Sequence, residues 1–470
     1  MTMQRPFAYA EALKPDKLLQ LYLRSPFGAL LASPVIDRPT LWAVTDILFP
    51  LSRLWAAAYV ARGDVEEFLR QVPMKTASIV VRNRLARTLA GFEAARDEAD
   101  RAAADWERLF FGTDASDDKK LQAAERIRVD TAQALILQRA RFVPLLLGRS
   151  IPKVKFAIPT EAEVKSAYGD YLAQPERAFG APASMPQVEV SRSVPSAAGR
   201  DYWLRFASPS VRVGGTVWAR VHEPIGVVDP PSFIFGNGIG VEFDQVKYSF
   251  EDAVKLCRSG VRVIEIEAPW HGRRIEPGFY PGEPFMARAP LGPIDLFTAQ
   301  VREIAVLIDW CRRGSRGRIG VGGTSMGALV GQLVATHAKR WPKRLRPDML
   351  GLITFCDRVH ELPFTSALAK RAGVGAALAA AGWNAEKCQR WRGFTDALEA
   401  PSMEPRNIVA VLGRHDRVTP YEVGRAQVER WGVPPGNVFV RRQGHFSVPL
   451  GLVRDDGPLR RIGELLLEQG

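Results

Sequence analysis

The chain has only four cysteines in 470 residues, with no CxxC pair among them. That excludes a disulfide framework and the ligand spacing of a structural zinc site, so no metal centre is expected. A reducing compartment is the default reading. The longest apolar run, 40–61, is interrupted by Asp46, Pro50 and Arg53. It falls short of the roughly 20 uncharged residues a membrane span needs and is expected to be buried or interfacial. The first residues lack the basic start, apolar centre and small-residue cleavage site of a secretory signal. A cytoplasmic location is therefore expected, with peripheral association at a membrane left open. There is no internal repeat and no low-complexity tract.

Charge and apolar residues are plentiful. Hydrophobic residues make up 46% and charged residues 24%, with a formal net charge of +13. A chain of this length and composition has ample material for a core and is neither disordered nor fibrous. The positive excess raises nucleic acid or an anionic membrane as partners. No basic tail or recognised nucleic-acid module accompanies it, and the clusters Arg312-Arg313, Lys339-Arg340 and Arg460-Arg461 read as solvated helix ends. No nucleic-acid partner is expected.

Residues 1–185 read as a helical region. Two stretches, 76–111 and 117–147, carry apolar residues at spacings of three and four and predict long antiparallel helices. Prolines at 152, 159, 175, 182 and 186 mark a connection. From 186 to 470, short β-branched runs alternate with helical ones, which predicts a mostly parallel sheet covered on both faces. Strands are expected at 187–192, 202–207, 214–222, 232–237, 261–268, 318–323, 350–355, 407–413 and 437–443. Helices are expected at 246–259, 295–313, 326–339, 421–431 and 456–468. Residues 359–403, rich in alanine and bearing Trp383 and Trp391, interrupt the rhythm as a helical insertion.

The strand 318–323 runs through Gly323-Thr324-Ser325-Met326-Gly327 into a helix. This is a G-x-S-x-G elbow in the context it requires, with a serine exposed on a turn so sharp that its flanks must be small. A serine nucleophile needs a base, and the base needs an acid to hold its tautomer. Only six histidines exist, and His445, in the Gly444-His445-Phe446 loop after the last strand, occupies the place of the base. Asp416, after the strand 407–413, is the expected acid, and Asp357, after the strand 350–355, is its rival. The backbone N–H of Met326 is the first oxyanion donor, and the second is expected from Ile239 or Gly238 in the loop Gly236-Asn237-Gly238-Ile239-Gly240. Asn237 and His271 are expected to line the mouth and touch substrate. The same loop resembles a dinucleotide fingerprint, with Glu265 and Glu267 as ribose ligands, but Val241 stands where G-x-G-x-x-G requires glycine.

At Ser325, Asp416 and His445 the sequence from about 187 onward resembles the α/β-hydrolase superfamily. A narrower likeness, in residues 266–274 and 307–311, is to a hydrolase subgroup with a Pro-aromatic-x-Gly-x-Arg loop after its fourth strand and a Trp-Cys helix before Ser-Met-Gly. The resemblance implies an eight-stranded sheet, a cap inserted after the sixth strand (here 359–403), and hydrolysis of esters, thioesters or amides without a cofactor. Asn237-Gly238 stands where many members have His-Gly. The helical N-terminal third lies outside the shared fold. Polyhydroxyalkanoate synthases also join a helical region to this fold but carry cysteine in the elbow, and Ser325 argues against that activity.

The expected function is therefore a serine carboxylic-ester hydrolase acting on a small-molecule or lipid-like ester. Trp42, Leu48, Phe49, Trp55 and Tyr59, with Trp383 and Trp391, raise a hydrophobic acyl group, although the same side chains serve equally to pack helices on the core. An acyltransferase or thioesterase using the same triad, and a non-catalytic binding or membrane-associated protein on the same scaffold, stay open as alternatives.

Overall fold

The computed structural model describes residues 28–72, 79–113, 117–146, 150–241 and 252–468. Ten strands form one sheet: β1 (Glu189–Val190), β2 (Val194–Pro195), β3 (Gly199–Ala207), β4 (Thr216–Pro224), β5 (Ser232–Gly236), β6 (Arg262–Ile266), β7 (Ile319–Thr324), β8 (Met349–Ile353), β9 (Ile408–Gly413) and β10 (Val438–Arg441). The order is β1-β3-β4-β6-β5-β7-β8-β9-β10, with β2 paired to β3. Eight of these strands are the long ones the resemblance implies, and the two-residue β1 and β2 add to the edge at β3. From β6 to β10 every pairing is parallel, whereas β3, β4 and β6 pair antiparallel. Every residue of β8 and β9 is buried, as strands covered on both faces must be.

The helices that matter for the site are α1 (Asp37–Trp42), α2 (Phe49–Ala61), α3 (Ile79–Phe111), α4 (Asp118–Leu137), α5 (Asp252–Arg258), α6 (Leu291–Gly314), α7 (Met326–His337), α8 (Tyr421–Arg430), α9 (Ser447–Leu452) and α10 (Gly457–Leu467). The first part of the helix expected at 246–259 lies outside the described residues, and α5 is its described end. Between β8 and β9 the insertion folds into short helical turns, among them Ala367–Ala372, Val374–Ala380 and Ala385–Gln389.

The N-terminal helices share one apolar interior with the sheet: Trp55, Phe92 and Phe142 lie in the same buried cluster as Ile234, Ile264 and Val321. α3 and α4 form the expected antiparallel pair, since Phe110 at the end of α3 meets Leu121 at the start of α4. There Trp106 stands edge-on to Trp203 of β3, with ring centroids 5.6 Å apart. The run 40–61 passes through a π-helical stretch, Ala43–Leu48, into the almost wholly buried α2. Among the described residues no helix is long and apolar enough to cross a membrane. The basic clusters are ion-paired: Arg313 with Asp309 and Arg340 with Glu399 at helix ends, as expected, and Arg460 with Asp456 and Arg461 with Glu464 within α10 and not at its end.

One buried ion pair ties α2 to the loops above the sheet. Arg53 meets Glu283 at 2.6 Å, and their side chains are 2% and 0% exposed. Arg53 also donates to the carbonyl of Gly278, while Glu283 accepts from the amides of Lys155 and Tyr280. Removing one member of such a pair leaves an uncompensated buried charge, so Arg53→Ala is expected to destabilise the fold by about 3–5 kcal/mol, as read by chemical denaturation. Arg53→Met combined with Glu283→Gln should recover much of that loss, because neither charge is then left alone.

Candidate active site

β5 lies between β6 and β7 in the sheet, so the chain leaves it first toward one edge and then crosses to the other, and at this reversal of strand order a crevice opens at the carboxyl ends of the parallel strands β5 and β7. The elbow sits in that crevice. Ser325 takes φ 54° and ψ −119°, a left-handed conformation that a non-glycine residue holds only when its surroundings enforce it. The enforcing contacts are the Ser325 amide on the carbonyl of Ile353 (2.9 Å) and the Gly327 amide on the carbonyl of Asn237 (3.0 Å). Gly327 is required here: a Cβ at 327 would stand 2.0 Å from the carbonyl oxygen of Gly236. The first turn of α7 is thereby pressed against the end of β5.

Ser325 Oγ lies 3.0 Å from His445 Nε2, and His445 Nδ1 lies 2.8 Å from Asp416 Oδ2. Asp416 follows β9 and is nearly buried. Its Oδ1 accepts the amides of Val418 (2.8 Å) and Thr419 (2.9 Å), and its Oδ2 also accepts the Thr419 hydroxyl (2.8 Å). Each acceptor of the carboxylate is thus engaged, which fixes it toward the imidazole. The rival acid Asp357 points elsewhere, pairing with Arg430 at 2.5 Å.

On the other side of Ser325, an ideal Cβ on Gly238 would lie 3.5 Å from the serine Cβ. The amides of Met326, Gly238 and Ile239 have no acceptor among the described residues, whereas that of Gly240 donates to His271 Nε2 at 2.9 Å. Gly240 is therefore already committed, which leaves the amides of Gly238 and Ile239 as the two candidates for the expected second donor. Asn237, Gly238, His271 and Met326 line a small cavity with Val241 and Ile266.

His271 lines that cavity with both ring nitrogens in use. Nδ1–H donates to the carbonyl of Pro269 at 2.8 Å, so Nε2 is the acceptor for Gly240. Only the neutral ring can do both. Burial pushes its pKa down to about 4, with the nearby Arg274 acting in the same sense and the Pro269 contact opposing. Because the unfolded chain binds that proton more readily, stability is expected to fall as pH drops from about 6.5 toward about 4. His271→Gln, which retains an acceptor but does not titrate, should show a smaller loss of melting temperature between pH 7 and pH 5 than the wild type.

The other histidines have different surroundings. His222 lies between Asp201 (2.9 Å) and Glu265 (3.0 Å), His360 is held by Asp396 at 2.5 Å, and His337 stacks on Phe179 with ring centroids 4.1 Å apart. His415 is exposed. Glu265 is occupied by His222, and Glu267 accepts the amide and guanidinium of Arg273, so both carboxylates of the dinucleotide reading already have partners.

Three contributors had no individual signal in the sequence analysis. Thr419 touches both Asp416 and, at 3.3 Å, His445 Nδ1; the run Asp416-Arg417-Val418-Thr419, with a carboxylate followed by amides two and three residues on, is the pattern that reveals it. Arg273 is enclosed by Trp106, Trp203 and Trp218, 4.4–5.1 Å from their ring centroids, and it anchors the loop that bears His271. The third, Asp37, is 407 residues or more from what it holds.

No family model and no curated protein sequence matches the chain. Among solved structures it is similar to the acetyl xylan esterase from Paenibacillus sp. R4, at 14% identity over 67% of this chain and 97% of that one, with a TM-score of 0.45. It is also similar to acetyl xylan esterase 1 from Thermoanaerobacterium sp. JW/SL YS485 (16%, 67% and 96%, TM-score 0.43) and to an S-formylglutathione hydrolase from Agrobacterium tumefaciens (15%, 59% and 99%, TM-score 0.39). In the molecule itself the serine elbow follows the fifth of the eight long strands, the helical insertion the sixth, Asp416 the seventh and His445 the eighth. With that strand order and those placements, the chain has the α/β-hydrolase fold.

Proposed function

We propose that the protein is a serine hydrolase that cleaves a carboxylic ester through an acyl-enzyme on Ser325. The observation that carries this reading is the unbroken hydrogen-bonded line from Asp416 through His445 to Ser325 Oγ. In the proposed reaction His445 Nε2 takes the serine proton as Oγ attacks the acyl carbon, and Asp416 stabilises the imidazolium that forms. The amides of Met326 and of Gly238 or Ile239 stabilise the oxyanion. His445 then protonates the leaving alcohol, and it later deprotonates the water that attacks the acyl-enzyme.

Burial bears on the substrate. Phe49, Trp55, Trp383 and Trp391 all lie in the core, and Trp55 and Trp383 donate to the carbonyls of Leu135 and Pro159. Tyr59 stacks on Trp55 at the edge of the same core, so packing accounts for five of the six aromatic side chains that raised a lipid-like ester, leaving Trp42, with Leu48, exposed. The small cavity beside Met326 favours a short acyl group instead.

A fluorophosphonate probe together with a chain-length series of p-nitrophenyl esters tests both parts. The wild type should be labelled and Ser325→Ala should not; equal labelling of the two would sink the mechanism. Acetate and butyrate should be preferred over octanoate, and the opposite order would remove the short-acyl assignment while leaving the serine chemistry standing.

A further inference from the structure

The loop that carries His445, residues 444–447, is gripped by the start of the N-terminal helical region. Asp37, the first residue of α1, turns its carboxylate away from its own helix, where it makes no cap. Its Oδ1 accepts the amides of Phe446 (2.8 Å) and Ser447 (3.3 Å), and its Oδ2 accepts the amide of Gly444 (3.2 Å) and the Ser447 hydroxyl. The grip is extended by Gln443, whose side-chain amide donates to the carbonyl of Ala32. Gly444 makes the approach possible: a Cβ at 444 would stand 2.5 Å from Asp37 Cγ and 2.7–2.8 Å from its oxygens.

Asp416 and Thr419 orient the imidazole ring, but they do not hold its backbone. The Phe446 amide has no other acceptor among the described residues, and the Gly444 amide is shared between Asp37 and Ser447 Oγ (2.9 Å), which itself donates to Asp37. Without the carboxylate the residue after the histidine loses its acceptor, and the Ser447 hydroxyl that backs Gly444 loses its anchor. We propose that Asp37 is a positioning residue for His445. It clamps residues 444–447 so that Nε2 stays at hydrogen-bonding distance from Ser325, and the N-terminal helical region is thereby part of the working site. This rests on the serine hydrolase reading. A carboxylate with four donors converging on it is suited to the task, because charge-assisted hydrogen bonds are roughly twice as strong as neutral ones.

The test compares full-length Asp37→Ala, Asp37→Asn, Gly444→Ala and the Asp37→Ala/Gly444→Ala double variant with the wild type. The measurements are kcat and KM on an ester the wild type hydrolyses, the rate of Ser325 labelling by a fluorophosphonate, and the melting temperature. Asp37→Ala should lower kcat and the labelling rate by about 10- to 100-fold with KM within about twofold, as expected for misplacement of a catalytic group by an ångström or less. Gly444→Ala should reproduce that defect with Asp37 still present, since its methyl group displaces the carboxylate. The double variant should be no worse than the poorer single one, because both remove one interaction. Asp37→Asn, which retains one acceptor oxygen, should fall in between. Folded Asp37→Ala and Gly444→Ala proteins labelled within twofold of the wild-type rate would overturn the proposal. If Asp37→Ala does not fold, Gly444→Ala and Asp37→Asn decide on the same criterion. The wild type supplies an independent reading: the amides of Phe446 and Ser447 should exchange with deuterium far more slowly than an exposed loop, and exchange at the exposed rate would equally overturn the clamp. A wild type that is neither labelled nor active refutes the hydrolase reading, and amide exchange then judges the clamp on its own.

Discussion

Ser325→Ala is expected to lower kcat for ester hydrolysis by roughly 10⁴- to 10⁶-fold, the loss seen when the nucleophile of a serine–histidine pair is deleted. The fold should be untouched. The only side-chain bond of Ser325 among the described residues is that to His445, and the strain of its positive φ is borne by the backbone, which alanine shares. Melting temperatures within a few degrees of each other, with turnover lost, are the expected pair of results. Residual activity above about 1% of wild type would mean that water or another group attacks the acyl carbon without passing through Ser325.

Asp416→Asn is expected to cost about 10⁴-fold in kcat, and Asp357→Asn to leave kcat within about threefold. In the wild type, Asp416 Oδ1 faces two backbone N–H groups, so an asparagine there must keep its carbonyl oxygen on that side. Its NH2 then faces His445 Nδ1, which has to become the acceptor. The ring proton moves to Nε2, where it confronts Ser325 Oγ, and the base is lost although the geometry is kept. Asp357, by contrast, is spent on Arg430. Loss of activity in Asp357→Asn, with Asp416→Asn active, would reassign the acid.

Much of the site was legible because its chemistry is carried by short local patterns. The elbow is five consecutive residues whose sizes are dictated by one sharp turn, and the close approach of Gly327 to Gly236 shows why glycine is needed. The central strands β8 and β9 were legible for a similar reason, since strands buried on both faces are continuous apolar runs. The edge was less so: β1 and β2 are two residues each, too short to leave a periodicity. His271 was expected against substrate from its place after β6. In the structure its ring supports the loop 236–240, a role set by Pro269 and Gly240 and invisible without the turn that brings them together.

The sequence by itself determined the fold class and, as local chemistry, the order of the candidate site residues along the chain: a strand, a strained turn and a helix, then a carboxylate and a histidine after later strands. What the tertiary structure decided is which groups meet. It placed Asp416 against His445 and Asp357 against Arg430, and it committed Gly240 to His271. It also brought Asp37 to the loop of His445 and Trp106 to Arg273. The physical reason is range. Turn geometry and periodicity act over a few residues and leave their mark in adjacent letters, whereas a hydrogen bond between residues some 409 positions apart depends on the packing of every element between them.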